Sequence, residues 1–259
     1  LEFRRVLFRS AHFQRNREQR VEPDWSAPFP LPEAVLKHLR PSLAEYQLGD
    51  GGGPACLIAG DAKQFRGSSD AMRKIVDLWF AEEREHSRLL GRALDRIGAR
   101  RVHGHWSFSA FLACRRVMGV RAELQVLLLV EIVSTVYYRL IRRHCADEPL
   151  RAMCSLILRD EAGHVAFHRD RLAAAGVSGW GVGGMLWAAQ FRLFGLAAAA
   201  MLWLNHGRCL QALGARPTEF AREIHRELSR FLWRLGRTVH RTARSQESAA
   251  ALVGQPATP

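Results

Sequence analysis

Apolar residues recur along this chain at intervals of three and four, with almost no strict alternation, which is the period of amphipathic helices rather than strands. The clearest run begins after Ser68 and Ser69, either of which can cap a helix with Asp70 in its first turn, and it closes at Gly98. A short helix is expected near Ser107–Val117. A long one follows over Arg121–Cys145 and stops before Pro149, and another spans about Leu150–Ala175, closed by Gly176. The pattern upstream is weaker. Residues 11–41 are polar and proline-rich and read as an extended segment with a short helix near Glu33–Leu39. A first bundle helix, near Ser42–Gln64, is interrupted by Gly51, Gly52, Gly53 and Pro54.

A glycine-rich loop, Gly176–Gly184, leads into Met185–Leu204, which is apolar for about 20 residues, the length that crosses a bilayer. Gln190 and Arg192 interrupt it, so a helix buried against the bundle is the favoured reading and a membrane-inserted or interfacial helix the alternative. The last helix starts at Thr218. Phe220, Ile224, Leu228, Phe231, Leu235 and Val239 form one stripe opposite an arginine-rich face. The expected organisation is all-α: a four-helix bundle over 42–176, a C-terminal helical extension over 177–245 packed on it, and a disordered tail over 246–259.

Composition alters this picture in three places. Leu1–Ser10, LEFRRVLFRS, match the translation of a common sequencing-library adapter and are set aside as an artefact; without Arg4, Arg5, Arg9 and Glu2 the net charge of +13 becomes +11. The cations are 35 Arg and 3 Lys, spread along the chain, which points to a GC-rich bacterial genome rather than to a nucleic-acid partner. The five cysteines (Cys56, Cys114, Cys145, Cys154, Cys209) form no CxxC pair and read as reduced, buried thiols of a cytoplasmic protein.

The candidate chemistry sits on four helices. Glu83 and His86 are three residues apart, as are Glu161 and His164, so each pair shares a helical face and can bind one metal together. The motif is short enough to arise by chance, and its context carries the inference. Glu131 is a lone carboxylate inside the apolar run from Gln125 to Tyr138, where an ionised group is costly unless paired, hydrogen-bonded or bound to metal. A protonated or arginine-paired core glutamate is the structural alternative. Asp50 precedes Glu83 by 33 residues and Glu131 precedes Glu161 by 30, about one helix and a turn, so each half of the chain offers a carboxylate and then ExxH at matching depth.

On these residues the chain resembles, over about Ser42–Ala175, the ferritin-like di-metal carboxylate superfamily. That group includes ferritins, rubrerythrins, the ribonucleotide reductase small subunit, acyl carrier desaturases, bacterial multicomponent monooxygenases and p-aminobenzoate N-oxygenases. The resemblance implies a ferritin-like four-helix bundle with additional C-terminal helices. It implies metal ligands Asp50, Glu83, His86, Glu131, Glu161 and His164, with Glu131 and Glu161 bridging. The first ligand departs from the pattern, since most members have Glu where this chain has Asp50; Glu45 is the alternative. The resemblance also implies that Glu82 orients His164 and Asp160 orients His86 across the bundle. His168, seven residues after Glu161, is a candidate extra ligand. Tyr138, seven after Glu131, is a candidate pocket-lining redox or proton relay. His38, His103, His105, His206, His225 and His240 lack metal spacing and read as structural.

Four carboxylates and two imidazoles suit two iron ions, with manganese or a mixed pair as alternatives, better than structural zinc. The function implied is a di-iron oxidoreductase that activates O2 in an oxygenase, oxidase or desaturase reaction. Its apolar or aromatic small substrate would enter near Trp79, Phe80, Leu127 and Tyr138. The expected partners are O2, that substrate, an electron-donor protein, a second copy of the chain and a membrane touching 185–204. A ferroxidase is the first alternative, and a metal-free bundle binding a membrane or protein the second. Peroxide scavenging of the rubrerythrin kind is disfavoured because no CxxC module is present.

Overall fold

The structure is a computed structural model that describes residues 16, 18–51, 56–61, 70–177 and 181–253. Among these it is all-helical: α1 (Glu33–Gly51), α2 (Asp70–Arg96), α3 (Trp106–Val117), α4 (Val120–His144), α5 (Glu148–Ala174), α6 (Gly181–Leu213) and α7 (Pro217–Val253). The pairs α1/α2 and α4/α5 pack most extensively and meet across α2 and α5. Helix α6 lies over α1 and α4, α7 over α5 and α4, and α6 and α7 touch each other. The core runs through the centre of both layers, from Leu39, Leu43 and Leu90 to Ile141, Leu150, Phe191 and Leu235. Each such side chain, fully buried, contributes about 1.5–3 kcal/mol.

Helix ends follow local chemistry. Gly98 and Gly176 take positive φ (63° and 75°), the left-handed turn that ends α2 and α5. Asp147 caps α5 by accepting from the Leu150 amide at 3.1 Å, with Pro149 in the first turn. Asp61 accepts from the Val120 amide at 2.7 Å at the start of α4. The buried Glu123 carboxylate accepts from the Ile58 and Ala59 amides and from Arg115 Nε at 2.8, 3.0 and 2.9 Å, fastening residues 56–61 and α3 to α4. The candidate caps Ser68 and Ser69 lie outside the described residues.

Four expectations change. The short helix at Glu33–Leu39 and the first bundle helix are one helix running through Pro41, whose missing amide costs a helical hydrogen bond. Burial of Leu36, Leu39, Leu43 and Leu48 on both sides offsets that loss. That helix ends at Gly51, and residues 56–61 are not helical. Helix α6 starts at Gly181, inside the expected loop. Helix α7 runs to Val253, past the expected tail boundary at 246, through the strong helix formers Ala249–Leu252.

Helices α4 and α6 are both long and apolar enough to cross a membrane by length and composition alone. Most of α4 is buried. Only 22% of the most apolar stretch of α6 is, so the expected burial against the bundle holds for one of its faces, that of Phe191, Gly195, Leu202 and Leu210.

A candidate metal centre

Packing α1 on α2 and α4 on α5 brings six donor side chains to one depth. Asp50 stands one residue from the end of α1, and Gly51 sets how closely that end approaches α2: a Cβ there would lie 2.0 Å from Ser87 Oγ. Glu83 and His86 project from α2, Glu131 from α4, and Glu161 and His164 from α5. Donor atoms of Glu83, Glu131, Glu161 and His164 all fall within 4.8 Å of one another, as do those of Asp50, Glu83 and His86. Glu83 belongs to both groups. These groups are positioned to hold metal ions, and the six residues are those singled out from the sequence.

Both imidazoles turn the same ring nitrogen inward. His164 Nδ1 lies 3.1 Å from Glu83 and 3.4 Å from both Glu131 and Glu161. His86 Nδ1 lies 3.7 Å from Glu83 and 3.7 Å from Glu161, with no hydrogen-bond partner among the described residues. Glu161 Oε2 also has none. Buried polar atoms are rarely left this way, and each of these two belongs to a different one of the two donor groups, as ligands awaiting a cation would.

The outer nitrogens explain the orientation. His164 Nε2 donates to Glu82 Oε2 at 3.0 Å, and His86 Nε2 donates to Asp160 Oδ2 at 3.2 Å. Each histidine is thus held by a carboxylate on the opposite helix, in the crossed arrangement anticipated above. Two residues invisible to sequence reasoning support these carboxylates. Asn16 Nδ2 donates to Glu82 Oε1 at 3.4 Å, and Arg20 Nη2 to Asp160 Oδ2 at 2.5 Å. Arg159 in turn donates to the Asn16 carbonyl at 3.1 Å.

The electrostatics are those of anions crowded in a dry place. Burial, then the Glu83 charge, pushes the Asp50 carboxyl well above its ordinary value. Burial and the Glu131 charge do the same to Glu161. Burial opposes charge on His86 and His164, but the carboxylates around them outweigh it and raise both imidazoles well above 6.5. Without cations, protons must neutralise such a cluster; with them, those protons are displaced.

Trp79, one helical turn before Glu83, is a further site residue. Its Nε1 donates to Glu83 at 3.0 Å and to Glu131 at 3.1 Å, bridging two donors. The i, i+4 spacing to Glu83 was readable in the sequence; the bridge to Glu131 was not.

A cavity of about 300 Å³ abuts the cluster, bounded there by Asp50, Glu83, Glu131 and Glu161 and elsewhere largely by apolar side chains, among them Phe80, Phe111, Leu127 and Val133. Trp79, Phe80, Leu127 and Tyr138, expected around a substrate entrance, all line it. The chain's three tyrosines gather beside it: Tyr46 stacks on Tyr137 at 4.0 Å and meets Tyr138 edge-on at 5.2 Å. The buried Tyr138 hydroxyl has no hydrogen-bond partner among the described residues. Tyr137, Ser42 and His206 form a separate chain, with 2.6 Å from Tyr137 to Ser42 Oγ and 3.0 Å on to His206 Nδ1.

Two candidate ligands fall outside both donor groups. His168 is fully buried and meets the Trp79 ring edge-on at 5.1 Å. Seven residues place it about 10 Å along α5 from Glu161, out of reach of the same ion. Burial and nearby Arg171 push its imidazole well below 6.5. Glu45 lines the cavity beside His105 and His206, at 3.6 and 3.9 Å, and Asp50 takes the helix-α1 position in the donor groups. Comparison with protein families, with curated proteins and with solved structures finds no significant match to this chain.

Proposed function

We propose that this chain is a ferritin-like di-metal carboxylate protein that activates O2 to oxidise an apolar or aromatic small molecule. One observation supports this reading best: six acidic and imidazole side chains in two donor groups sharing Glu83, placed against an apolar cavity. Asp50, Glu83 and His86 would hold one ion and Glu83, Glu131, Glu161 and His164 the other. The oxygen-rich donor set favours iron, with manganese as the alternative. A pair of ferrous ions held there would supply electrons for the reduction of O2. The rest falls to the protein. Glu82 and Asp160 hold each histidine with Nδ1 inward. Trp79 restrains Glu83 and Glu131. Phe80, Leu127 and Val133 would give an apolar bed beside the site, and the Tyr138 hydroxyl, without a partner among the described residues, would face whatever occupies it.

A ferroxidase would use the same ligands but has no need of an apolar cavity. Protein purified with Fe(II) under nitrogen, alongside Glu131→Ala, separates these readings. The expected result is two irons per chain in the parent, fewer in the variant, and O2 uptake without mineral. Equal iron in both refutes the site assignment, and iron accumulating far beyond two per chain favours storage.

A further inference from the structure

Helix α6 carries a second apolar face that nothing among the described residues covers. Val182, Leu186, Leu193, Leu196 and Leu204 recur at helical spacing on the side opposite Phe191, Gly195 and Leu202, and all five are more than half exposed. Such a stripe exceeds the scattered apolar residues of an ordinary surface. Helix α3 has a smaller counterpart: Trp106, Ala110, Ala113 and Val117 are exposed at i, i+4, i+7 and i+11. Both helices line the cavity. Phe108 and Phe111 of α3 and Met201 and Leu202 of α6 line it, and Val130 and Met201, 42% and 39% exposed, mark its mouth.

Charge and area say what covers this face. Neither Trp106–Val117 nor Gly181–Leu213 contains a single Asp or Glu, while Arg116, Arg192 and Arg208 are exposed on them. A cationic rim around apolar side chains matches an anionic lipid surface, where hydrocarbon takes the leucines and headgroups take the arginines. A second copy of the chain fits less well. From Val182 to Leu204 the stripe is about 34 Å long and one helix, about 10 Å, wide. With the α3 strip added the face offers about 500 Å², short of the roughly 800 Å² per partner of a stable pair, and two copies would bring like charges together. Because its inner face is packed on the bundle, α6 would lie along the membrane rather than cross it.

We propose that the chain docks on an anionic phospholipid bilayer through the outer faces of α6 and α3, with the cavity mouth against the lipid, and that the cavity takes a lipophilic molecule from that bilayer. The second half rests on the cavity being the substrate site of the function proposed above; the docking does not.

Flotation of the full-length protein with phosphatidylcholine vesicles, with and without one-third phosphatidylglycerol, tests the docking. If Arg192 and Arg208 each contribute about fivefold, binding is roughly 25-fold tighter with the anionic lipid and weakens with salt. Leu193→Glu/Leu204→Glu, both at exposed positions, loses at least about tenfold on both vesicle types. Arg192→Glu/Arg208→Glu loses the preference for anionic lipid while leaving the leucines intact. A parent that does not float, or a leucine variant that floats as well as the parent, overturns the proposal. A parent that sediments as a dimer, with the leucine variant monomeric and neither floating, assigns the face to self-association instead. For the ligand, vesicles carrying labelled palmitate are used. The re-isolated parent retains label, and Val130→Trp, which plugs the mouth, floats normally but retains at least about fivefold less; equal retention overturns the route. Metal content measured on the same samples keeps the readings apart: metal without flotation sinks the docking alone, and flotation without metal sinks the function alone.

Discussion

Replacing Asp160 with Asn removes one buried charge from behind His86 and leaves the donor atoms of the centre in place. In the parent, Asp160 Oδ2 accepts from His86 Nε2 at 3.2 Å and from Arg20 at 2.5 Å. The amide keeps the size and one acceptor, but it no longer strengthens the imidazole as a donor and no longer balances Arg20. Removing such an outer partner weakens metal binding about 10–100-fold, or about 1.4–2.7 kcal/mol. His86 serves only the group with Asp50 and Glu83, so the loss should fall on one of two binding steps. Glu82→Gln, behind His164, should weaken the other. The assay is anaerobic titration of each variant with Fe(II) or Mn(II) against a competing chelator, resolved into two steps, with a thermal melt to confirm folding. If both variants bind both equivalents within about twofold of the parent, or if each weakens both steps alike, the crossed pairing does not orient ligands and the reasoning fails.

Three other outcomes follow from the packing. Gly51→Ala should displace the end of α1 through its clash with Ser87, cost about 1–3 kcal/mol in a urea melt, and lower metal bound at Asp50; adding Ser87→Gly should restore the metal but not the stability, since glycine inside α2 itself costs about 0.5–1 kcal/mol. Arg96 reaches Asp147 through Nε and Nη2 and also holds the Trp25 and Pro28 carbonyls, so Arg96→Ala should destabilise by about 3–5 kcal/mol in denaturant titration, and a loss under about 1 kcal/mol would show the buried pair to be dispensable. His206, pushed down to about 3 from 6.5, first by burial, stays neutral when folded while the unfolded chain takes up a proton below 6.5. Its contribution is complete above 6.5 and declines toward 3, about 2 kcal/mol of it between pH 7 and pH 5. His206→Gln should flatten that part of the stability–pH curve, and an unchanged slope would refute it.

The readable part of this molecule was what one helix encodes by itself. ExxH puts Glu and His on one face wherever the helix goes, and Glu131 stood out because its neighbours had to be buried. The stripe from Phe220 to Leu235 is buried for the same reason. What escaped notice depends on how helices meet. Asn16 and Arg20 reach carboxylates 66 and 140 residues away, and no local pattern encodes that. Glu45 and Asp50 lie on one helix, and only the approach of α1 to α2, set at Gly51, separates their roles. An all-apolar helix such as α6 carries no mark of which face the bundle will take, so its periodicity could not distinguish the covered side from the bare one. Pro41 misled because its penalty is local while the burial that offsets it is not.

The stretch ahead of α1 works as a latch on the centre. Asn16 grips the carboxylate behind one histidine, and Arg20, four residues on, grips the one behind the other. Loosening this short piece would strip a second partner from each of these carboxylates and so weaken the hold on both imidazoles without breaking it. The reactivity of the buried core is therefore tied to a stretch of chain that closes over it from outside the bundle.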